Sequence, residues 1–189
     1  DLGMLGVIFH LGSHGGLGFE AVFRQIIESI NRVLDNSPEE VALIMENSAG
    51  MGNHIGSKFD ELGAIIREVG SPRVKICLDT QHSFAAGYNL TTDSDVAEVM
   101  KHFDKEIGLD HLVTVHCNDS KIPLSGGVDR HENLGEGKMG LSAFQAIMNN
   151  SAFKHLPFYL EVPGFQGKGP DKENLDILKS IRQDLGILA

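Results

Sequence analysis

The sequence lacks the features of an extracellular, membrane-embedded or nucleotide-binding protein. It has no tryptophan, two tyrosines and two cysteines. Cys77 and Cys117 both lie in apolar runs, which favours reduced core thiols over a disulfide and indicates a cytoplasmic protein. The first apolar run, residues 4–9, is too short for a membrane span or for a signal peptide. No GxGxxG or GxxxxGK[ST] motif is present, so the sequence predicts no nucleotide cofactor.

Basic residues are also scarce. Lysine and arginine number 16 against 26 acidic residues, which gives a net charge of −10 with neutral histidine. A basic surface is typical of nucleic-acid binding, so this balance argues at first against a polyanionic partner. However, each bound divalent cation would add two positive charges where a phosphate would dock. The charge therefore weakens a nucleic-acid interpretation but leaves it open.

What the sequence does contain is a repeated order of apolar strand, loop and amphipathic helix. It predicts strands at residues 5–9, 41–45, 74–78, 112–115 and 158–160, and helices at 20–34, 58–69, 93–107, 141–148 and 172–185. Short continuous apolar runs that alternate with helices are typical of parallel strands buried on both faces. Because no break in composition is present, residues 1–189 are predicted to form a single α/β domain.

A polar side chain stands directly after each predicted strand, at His10, Glu46, Asp79, His116 and Glu161. In a parallel β/α barrel these positions converge on one face, where active sites lie. An open doubly wound sheet is the structural alternative, but it would not bring five strand ends together. Because an eight-unit barrel takes roughly 250 residues, we expect a partial (β/α)8 TIM barrel. It would consist of about five C-terminal βα units, with the N-terminal units missing from this sequence.

Three further donors lie in the loops after these strands. His82 follows Asp79 by three residues, which is a spacing suited to one turn of a helix or to a tight loop. Asp129 and His131 are two residues apart, so their side chains share one side of an extended segment. A single such residue is usually an ordinary polar side chain. Eight of them in consecutive strand-end or loop positions indicate a shared metal cluster, because unpaired buried ions are costly.

The donor types restrict the metal. Carboxylate and imidazole ligands without thiolate suit zinc, manganese or iron(II). Zinc fits hydrolysis best, because it lowers the pKa of bound water toward neutrality and has no redox chemistry. Cys117 follows His116 directly and would point to the opposite face of the strand, so we exclude it as a ligand.

Six segments resemble the endonuclease IV family of zinc-dependent apurinic/apyrimidinic endonucleases, which have a β/α barrel. They are FHLGSH (9–14), IMENSAGMGNHIG (44–56), CLDTQHSFAAGY (77–88), VHCNDSK (115–121), VDRHENLGEG (128–137) and LEVPG (160–164). DTQH and VDRHENLGEG are the most specific. The resemblance implies a DNA-repair hydrolase of base excision repair that acts on double-stranded DNA containing abasic sites. It would cleave the phosphodiester 5′ to the lesion and leave a 3′-hydroxyl and a 5′ deoxyribose phosphate.

The resemblance also implies three zinc ions. His10 would hold the first zinc, and Glu46 would bridge the first and the second. The remaining ligands would be Asp79, His116 and Glu161 on the second zinc, and His82, Asp129 and His131 on the third. Glu46 and Glu161 would also orient or deprotonate the attacking water. One further zinc-binding histidine of the family would lie upstream of Asp1.

Other loop residues carry weaker signals. His54 would face either DNA or solvent, and Lys121 and Arg130 are candidates for phosphate contacts. Asn118 and Asp119 are predicted to fix the loop after His116 or to orient ligands. Nothing in the sequence indicates an oligomeric state.

Two alternatives stay open at this point. A metal-dependent sugar isomerase or epimerase of the xylose isomerase-like barrels would need only the donors Glu46, Asp79, His116 and Glu161. The chain could instead be an inactive, truncated remnant that binds metal or DNA without cutting. The surplus donors His82, Asp129 and His131 favour the endonuclease over the isomerase.

Overall fold

A parallel five-stranded sheet forms the centre of the computed structural model, which describes residues 3–186. The strands of the molecule are β1 (Gly6–His10), β2 (Ala42–Glu46), β3 (Val74–Asp79), β4 (Leu112–His116), β5 (Asp119–Ser120), β6 (His131–Glu132) and β7 (Phe158–Tyr159). The sheet has the order β1-β2-β3-β4-β7, and every pair in it is parallel. A short antiparallel ladder joins β5 to β6. Parallel strands that neighbour each other in chain order, with helices between them, are the arrangement of a β/α barrel.

Helices follow the strands of the sheet and cover one of its faces. Between residues 3 and 186 they are α1 (Phe19–Asp35), α2 (Phe59–Val69), α3 (Thr80–Ala86), α4 (Asp93–Glu106), α5 (Leu141–Asn149) and α6 (Lys172–Asp184). In α1, for example, Ile26, Ile27 and Ile30 are buried at helical spacing. In this part of the chain, every helix is too short or too polar to cross a bilayer.

The predicted strands of the sheet and the predicted helices agree with the observed elements to within one residue at each end. One difference concerns the donors: His10, Glu46, Asp79 and His116 are the last residues of their strands, not the residues after them. Backbone pairing in the sheet therefore holds these four positions directly. Glu161 lies in the loop after β7.

The periodicity of the sequence does not predict α3. This seven-residue helix is buried almost throughout, so it has no amphipathic pattern. Local capping defines it instead, because Asp79 accepts a hydrogen bond from the backbone N–H of His82 and Gly87 ends the helix with a φ of 107°. The helix extends directly from β3, so His82 lies one helical turn beyond Asp79, which is one of the two arrangements that the spacing predicted.

The main hydrophobic core lies between the sheet and the helices. Its largest fully buried side chains include Phe59, Phe103 and Phe144. Cys117 belongs to this core, which confirms that it points away from the predicted site. The other face of the sheet carries a second, smaller cluster of Ala42, Ile44 and Cys77.

The two edge strands carry exposed apolar side chains. Val7 of β1 is 55% exposed and Tyr159 of β7 is 53% exposed. Residues 3–186 thus form a TIM-barrel-like α/β fold whose parallel sheet is open along β1 and β7.

Candidate metal centre

The register of the sheet places four donor side chains next to one another. His10 pairs with Glu46 across β1 and β2, and Asp79 pairs with His116 across β3 and β4. Glu46 and Asp79 lie two residues after members of the smaller cluster, so they point to the sheet face opposite the helices. The fifth strand-end donor, Glu161, follows β7 on the neighbouring strand.

The carboxylate of Glu46 belongs to a cluster of four donors. Nδ1 of His116 lies 3.1 Å from Oε1 of Glu46, 3.0 Å from Oε2 of Glu161 and 4.0 Å from Oδ2 of Asp79. One ligand atom from each of these residues lies within 4.8 Å of the other three. We call Glu46, Asp79, His116 and Glu161 the Glu46 group. Three carboxylates and one imidazole at this spacing can bind one divalent cation.

Backbone carbonyls fix two histidine rings through their Nδ1 atoms. Nδ1 of His82 lies 2.9 Å from the carbonyl oxygen of Asn47, and Nδ1 of His131 lies 3.2 Å from that of Glu161. When Nδ1 donates its proton to a carbonyl, Nε2 carries a lone pair that can bind a metal. The two rings are 5.4 Å apart between centroids and present their Nε2 atoms to the site.

These two Nε2 atoms share Asp129 as a neighbour. Oδ2 of Asp129 is 3.4 Å from Nε2 of His82, and Oδ1 of Asp129 is 3.4 Å from Nε2 of His131. Oδ2 of Asp79 is 3.6 Å from Nε2 of His131, so Asp79 borders this group as well as the Glu46 group. We call Asp79, His82, Asp129 and His131 the His82 group. The resemblance implied that Asp79 serves the second zinc only, whereas the geometry makes it a member of two donor groups.

His10 lies at the open side of the site. Its Nε2 is 3.5 Å from Oε2 of Glu46, whereas His116 approaches Oε1 of the same carboxylate. Its side chain is 56% exposed, and its ring lies 5.6 Å from the ring of His82. The structure therefore brings all eight predicted donors together, with His10 the least enclosed.

Unpartnered atoms show that these residues fit a metal. Five buried side-chain atoms of the described residues have no hydrogen-bond partner, and four of them are donors of the site: Glu46 Oε1, His82 Nε2, His116 Nδ1 and His131 Nε2. The fifth is Oε1 of Gln81, which precedes His82. Leaving a buried polar atom unpaired costs about 1–3 kcal/mol, so such atoms are rare in folded proteins. Shared cations would satisfy all four.

The electrostatics of the site favour cations. Burial raises the pKa of Glu46, but contacts with His116 and His82 outweigh it and lower the pKa to about 2. Burial lowers the pKa of His82, but the charge of Asp79 and contacts with Asp129 and Glu46 raise it to about 11. The carboxylates thus create a strongly negative potential that holds positive charge in the site. Metal ions would supply that charge in place of the histidine protons.

Two buried asparagines hold the ligands in position. Asn118 donates from Nδ2 to Oδ2 of Asp79 (2.7 Å) and accepts from the backbone N–H of Glu161 (2.8 Å). Asn47 accepts from the backbone N–H of Asp79 (2.7 Å), and its carbonyl faces His82. The role of Asn118 was predicted from its place after His116, whereas that of Asn47 was not. The signal was available, because both asparagines come one or two residues after a strand-end donor.

The weaker candidates lie around the same site. His54 lines a cavity of about 180 Å³ together with His10, His82 and Asp129. Lys121 and Arg130 have exposed side chains on paired segments, since the N–H of Lys121 donates to the carbonyl of Arg130 (3.0 Å). Contact of these three residues with DNA stays a prediction.

Comparison with known proteins agrees with this arrangement. The sequence model of the xylose isomerase-like TIM barrel family matches residues 1–182. The chain is 42% identical over 173 residues to the "Probable endonuclease 4" of Halothermothrix orenii, covering 91% of the chain and 62% of that protein. The chain thus spans about three fifths of the length of the curated relatives that it matches.

Solved structures agree with the sequence match to endonuclease 4. A crystal structure of endonuclease IV from Thermus thermophilus superposes with a TM-score of 0.81 at 30% identity, over 97% of this chain and 63% of that one. A D-tagatose 3-epimerase-like protein superposes with a TM-score of 0.71 at 18% identity, over 95% and 62% of the two chains, which shows the fold alone. The resemblance to endonuclease IV predicted from the motifs is confirmed by these comparisons. Because the family match extends over residues 1–182, the chain belongs to the xylose isomerase-like TIM barrel family.

Proposed function

We propose that this chain carries the active site of a zinc-dependent apurinic/apyrimidinic endodeoxyribonuclease. The enzyme would hydrolyse the phosphodiester 5′ to an abasic site in double-stranded DNA, leaving a 3′-hydroxyl and a 5′ deoxyribose phosphate. Similarity to proteins named endonuclease 4 or endonuclease IV supports this reaction. In this proposal residues 1–189 are one domain that supplies the C-terminal βα units of a TIM barrel.

The observation that carries the proposal is the His82 group. The Glu46 group alone offers the ligands of a one-metal site. His82, Asp129 and His131 add a second set of donors whose Nε2 and carboxylate atoms lie 3.4 Å apart. Several adjacent cations would suit a phosphodiester, because they neutralise charge on the phosphoryl oxygens and stabilise both the attacking and the leaving oxygen. A small polyol substrate gives no comparable reason for the additional donors.

The ligands would divide among three zinc ions. His10 and Glu46 would hold one, the Glu46 group a second, and His82, Asp129 and His131 a third. Manganese or iron(II) would also suit these donors. When bound, zinc lowers the pKa of water toward neutrality and neutralises negative charge on a phosphate.

Glu46 and Glu161 would have different roles because their exposure differs. The side chain of Glu46 is 4% exposed and that of Glu161 is 46% exposed. The contact with His116 lowers the pKa of Glu161, so its carboxylate stays ionised. As the more exposed of the two carboxylates, Glu161 would orient the attacking water or take its proton. Glu46 would hold positive charge deep in the site.

The cavity beside the site would provide selectivity. It measures about 180 Å³ and is lined by His10, Ser48, His54 and other residues. A nucleotide without its base leaves the helical stack at little cost, and its bare sugar could enter a space too small for a complete nucleotide. Lys121 and Arg130, which are exposed, would contact phosphates of the DNA.

The decisive test is incision of a labelled duplex that carries one abasic analogue, with both the 189-residue chain and the longest reading frame that contains it. We expect a single nick directly 5′ to the lesion and a 3′ end that a polymerase can extend. An undamaged duplex of the same sequence is the control. Nicking 3′ to the lesion, or none by a folded and metal-loaded protein, would contradict the proposal.

Two variants assign roles within the reaction. Glu161→Gln is expected to abolish incision and to leave the fold intact. Its matched control is Glu39→Gln, because Glu39 is exposed before β2 at the other end of the sheet. Near-normal incision by Glu161→Gln would contradict the catalytic role proposed for Glu161.

His131→Ala is expected to lose one metal and most of the rate. His155→Ala is its control, since His155 is exposed before β7. An unchanged metal content in His131→Ala would refute its assignment as a ligand.

A sugar isomerase or epimerase is the second candidate, because three carboxylates and one imidazole are enough ligands for a one-metal enzyme. The Glu46 group could bind one metal beside a small polyol. The two candidates differ in metal content, because the endonuclease requires the His82 group to be loaded as well. A protein that binds metal only at the Glu46 group, and that does not incise DNA, would support the isomerase.

A further inference from the structure

The loop between β4 and α5 carries two ligands but has little regular structure. Asp129 and His131 both lie in it, and the β5–β6 ladder is its only strand pairing within the described residues. A metal binds more tightly when its ligands are already held in place before it arrives. Something other than regular secondary structure must therefore position this loop.

Asp119 makes the contacts that can do so. It is fully buried, and its carboxylate accepts four backbone hydrogen bonds. Oδ1 accepts from the N–H groups of Ser120 (2.7 Å) and Met139 (3.0 Å). Oδ2 accepts from those of Gly135 (3.0 Å) and Gly137 (3.1 Å). One carboxylate thus ties the start of the loop to its end.

Gly137 allows this close approach. A Cβ atom at this position would lie 2.3 Å from Oδ1 of Asp119 and 2.6 Å from the carbonyl oxygen of Ser120. Side chains do not tolerate such distances, so any larger residue would push the end of the loop away from the carboxylate. The glycine and the carboxylate therefore form one packed unit.

This unit is directly connected to the His82 group. In the β5–β6 ladder, Ser120 pairs with His131 and Asp119 pairs with Glu132. The N–H of Lys121 also donates to the carbonyl of Arg130. A displacement of Asp119 would therefore move the backbone of His131.

Gln81 holds the other side of the same loop. Its Nε2 donates to Oγ of Ser120 (3.2 Å) and to the carbonyl of Val128 (3.0 Å), which directly precedes Asp129. The loop is thus fixed at one side to α3, which carries His82, and at its start and end to the carboxylate of Asp119.

We propose that Asp119 is a positioning residue that sets the metal affinity of the His82 group through its four backbone hydrogen bonds. This inference rests on the proposed function only in assuming that the His82 group binds a metal. Asp119 itself contributes no ligand, because both of its oxygens are occupied by backbone N–H groups. Residues that orient ligands without touching the metal typically change metal affinity roughly 10- to 100-fold.

The test is the metal content and metal affinity of Asp119→Asn in the 189-residue chain, measured with zinc and a chromophoric chelator. The amide nitrogen that replaces one carboxylate oxygen cannot accept the two N–H groups bound there, so the loop should loosen. We expect zinc at the His82 group to be bound roughly 10- to 100-fold more weakly, while zinc at the Glu46 group is retained.

Two further variants make the result specific. Gly137→Ala keeps the carboxylate and displaces only the loop, so it should give the same selective loss even if Asp119→Asn fails to fold. Arg73→Lys is the stability control, because Arg73 binds the carbonyls of Leu34, Pro38 and Val41 at the opposite end of the sheet. It should lower stability without changing the metal content.

The outcomes separate the two proposals. If the wild-type chain binds no metal at the His82 group, the proposed function fails. If it does bind metal there, and both Asp119→Asn and Gly137→Ala keep wild-type affinity, the role of Asp119 is refuted. Equal loss of metal from both groups, or the same loss in Arg73→Lys, would show a general effect on folding. Either result would also refute the role of Asp119.

Discussion

The side-chain amide of Asn118 donates a 2.7 Å hydrogen bond to Oδ2 of Asp79, the carboxylate that borders both ligand groups. The same side chain accepts from the N–H of Glu161. Asn118→Ala should therefore weaken metal binding about 10- to 100-fold. It should also lower the free energy of unfolding by about 1–3 kcal/mol, because a backbone N–H loses its partner. Chelator competition and urea denaturation measure the two effects.

Asn149 provides the matched control for this substitution. It too donates from its amide to an aspartate, Asp93, but on the exposed surface between α5 and α4. Asn149→Ala should leave metal binding unchanged and alter stability by no more than about 0.5 kcal/mol. Equal metal affinity in the two variants would contradict the role of Asn118.

Removal of metal should destabilise the protein. Cations would partner the four unpaired donor atoms and the carboxylates of the site, which only the folded chain brings together. At a zinc concentration about 1,000 times the dissociation constant, each site adds about 4 kcal/mol to the free energy of unfolding. Thermal denaturation followed by circular dichroism should show a lower midpoint in chelator than in zinc. An identical midpoint in both would indicate that the site does not bind zinc in the native state.

Gly63 should not tolerate alanine, although it lies within a helix. Alanine normally stabilises a helix interior by up to about 1 kcal/mol relative to glycine. Here a Cβ would lie 2.0 Å from the carbonyl oxygen of Glu106, where α2 contacts the end of α4. The same oxygen accepts from Nη1 of Arg67 (2.7 Å). We expect Gly63→Ala to reduce the free energy of unfolding by about 1–3 kcal/mol, measured in urea.

Ser180→Ala is a suitable comparison for that variant. Ser180 is an exposed position of α6, so alanine there should raise stability by up to about 0.5 kcal/mol. If Gly63→Ala raised the free energy of unfolding as much as Ser180→Ala does, α2 and α4 would be able to separate without cost.

Tyr88 should stabilise the start of α2. Lys58 occupies the N-cap position without a side-chain hydrogen bond, and the hydroxyl of Tyr88 accepts from the N–H of Phe59 (3.0 Å). Tyr88→Phe keeps the ring stacked on Phe59 at a centroid distance of 3.9 Å and removes only the hydroxyl. The free energy of unfolding should fall by about 1 kcal/mol. Tyr159→Phe, at the exposed tyrosine, should cause no measurable change in a parallel urea titration.

Much of the site followed from the sequence because strand ends are easy to recognise. Apolar runs such as 74–78 end at a polar residue, and parallel pairing then brings Asp79 and His116 together without further information. The pair Asp129 and His131 was predictable for a similar reason, since alternate residues of an extended segment share a side.

The features of the site that the sequence did not reveal depend on contacts between segments that are distant in the chain. No local pattern in the sequence reveals that the carbonyl of Asn47 fixes His82, or that Asp119 binds N–H groups up to Met139. Backbone groups are present at every residue, so the sequence does not show which of them a buried side chain will meet. The same applies to α3, whose limits depend on a cap and a glycine and not on periodicity.

The position of the ligands on successive strands has a consequence for how the fold comes apart. His10, Glu46 and Asp79 end β1, β2 and β3, and Glu161 follows the edge strand β7. Cations shared among them would act as cross-links between segments that are remote in sequence, comparable to disulfides that close long loops. An edge strand could then not detach while the cross-links hold, so the loss of metal would set the rate at which the loaded protein unfolds.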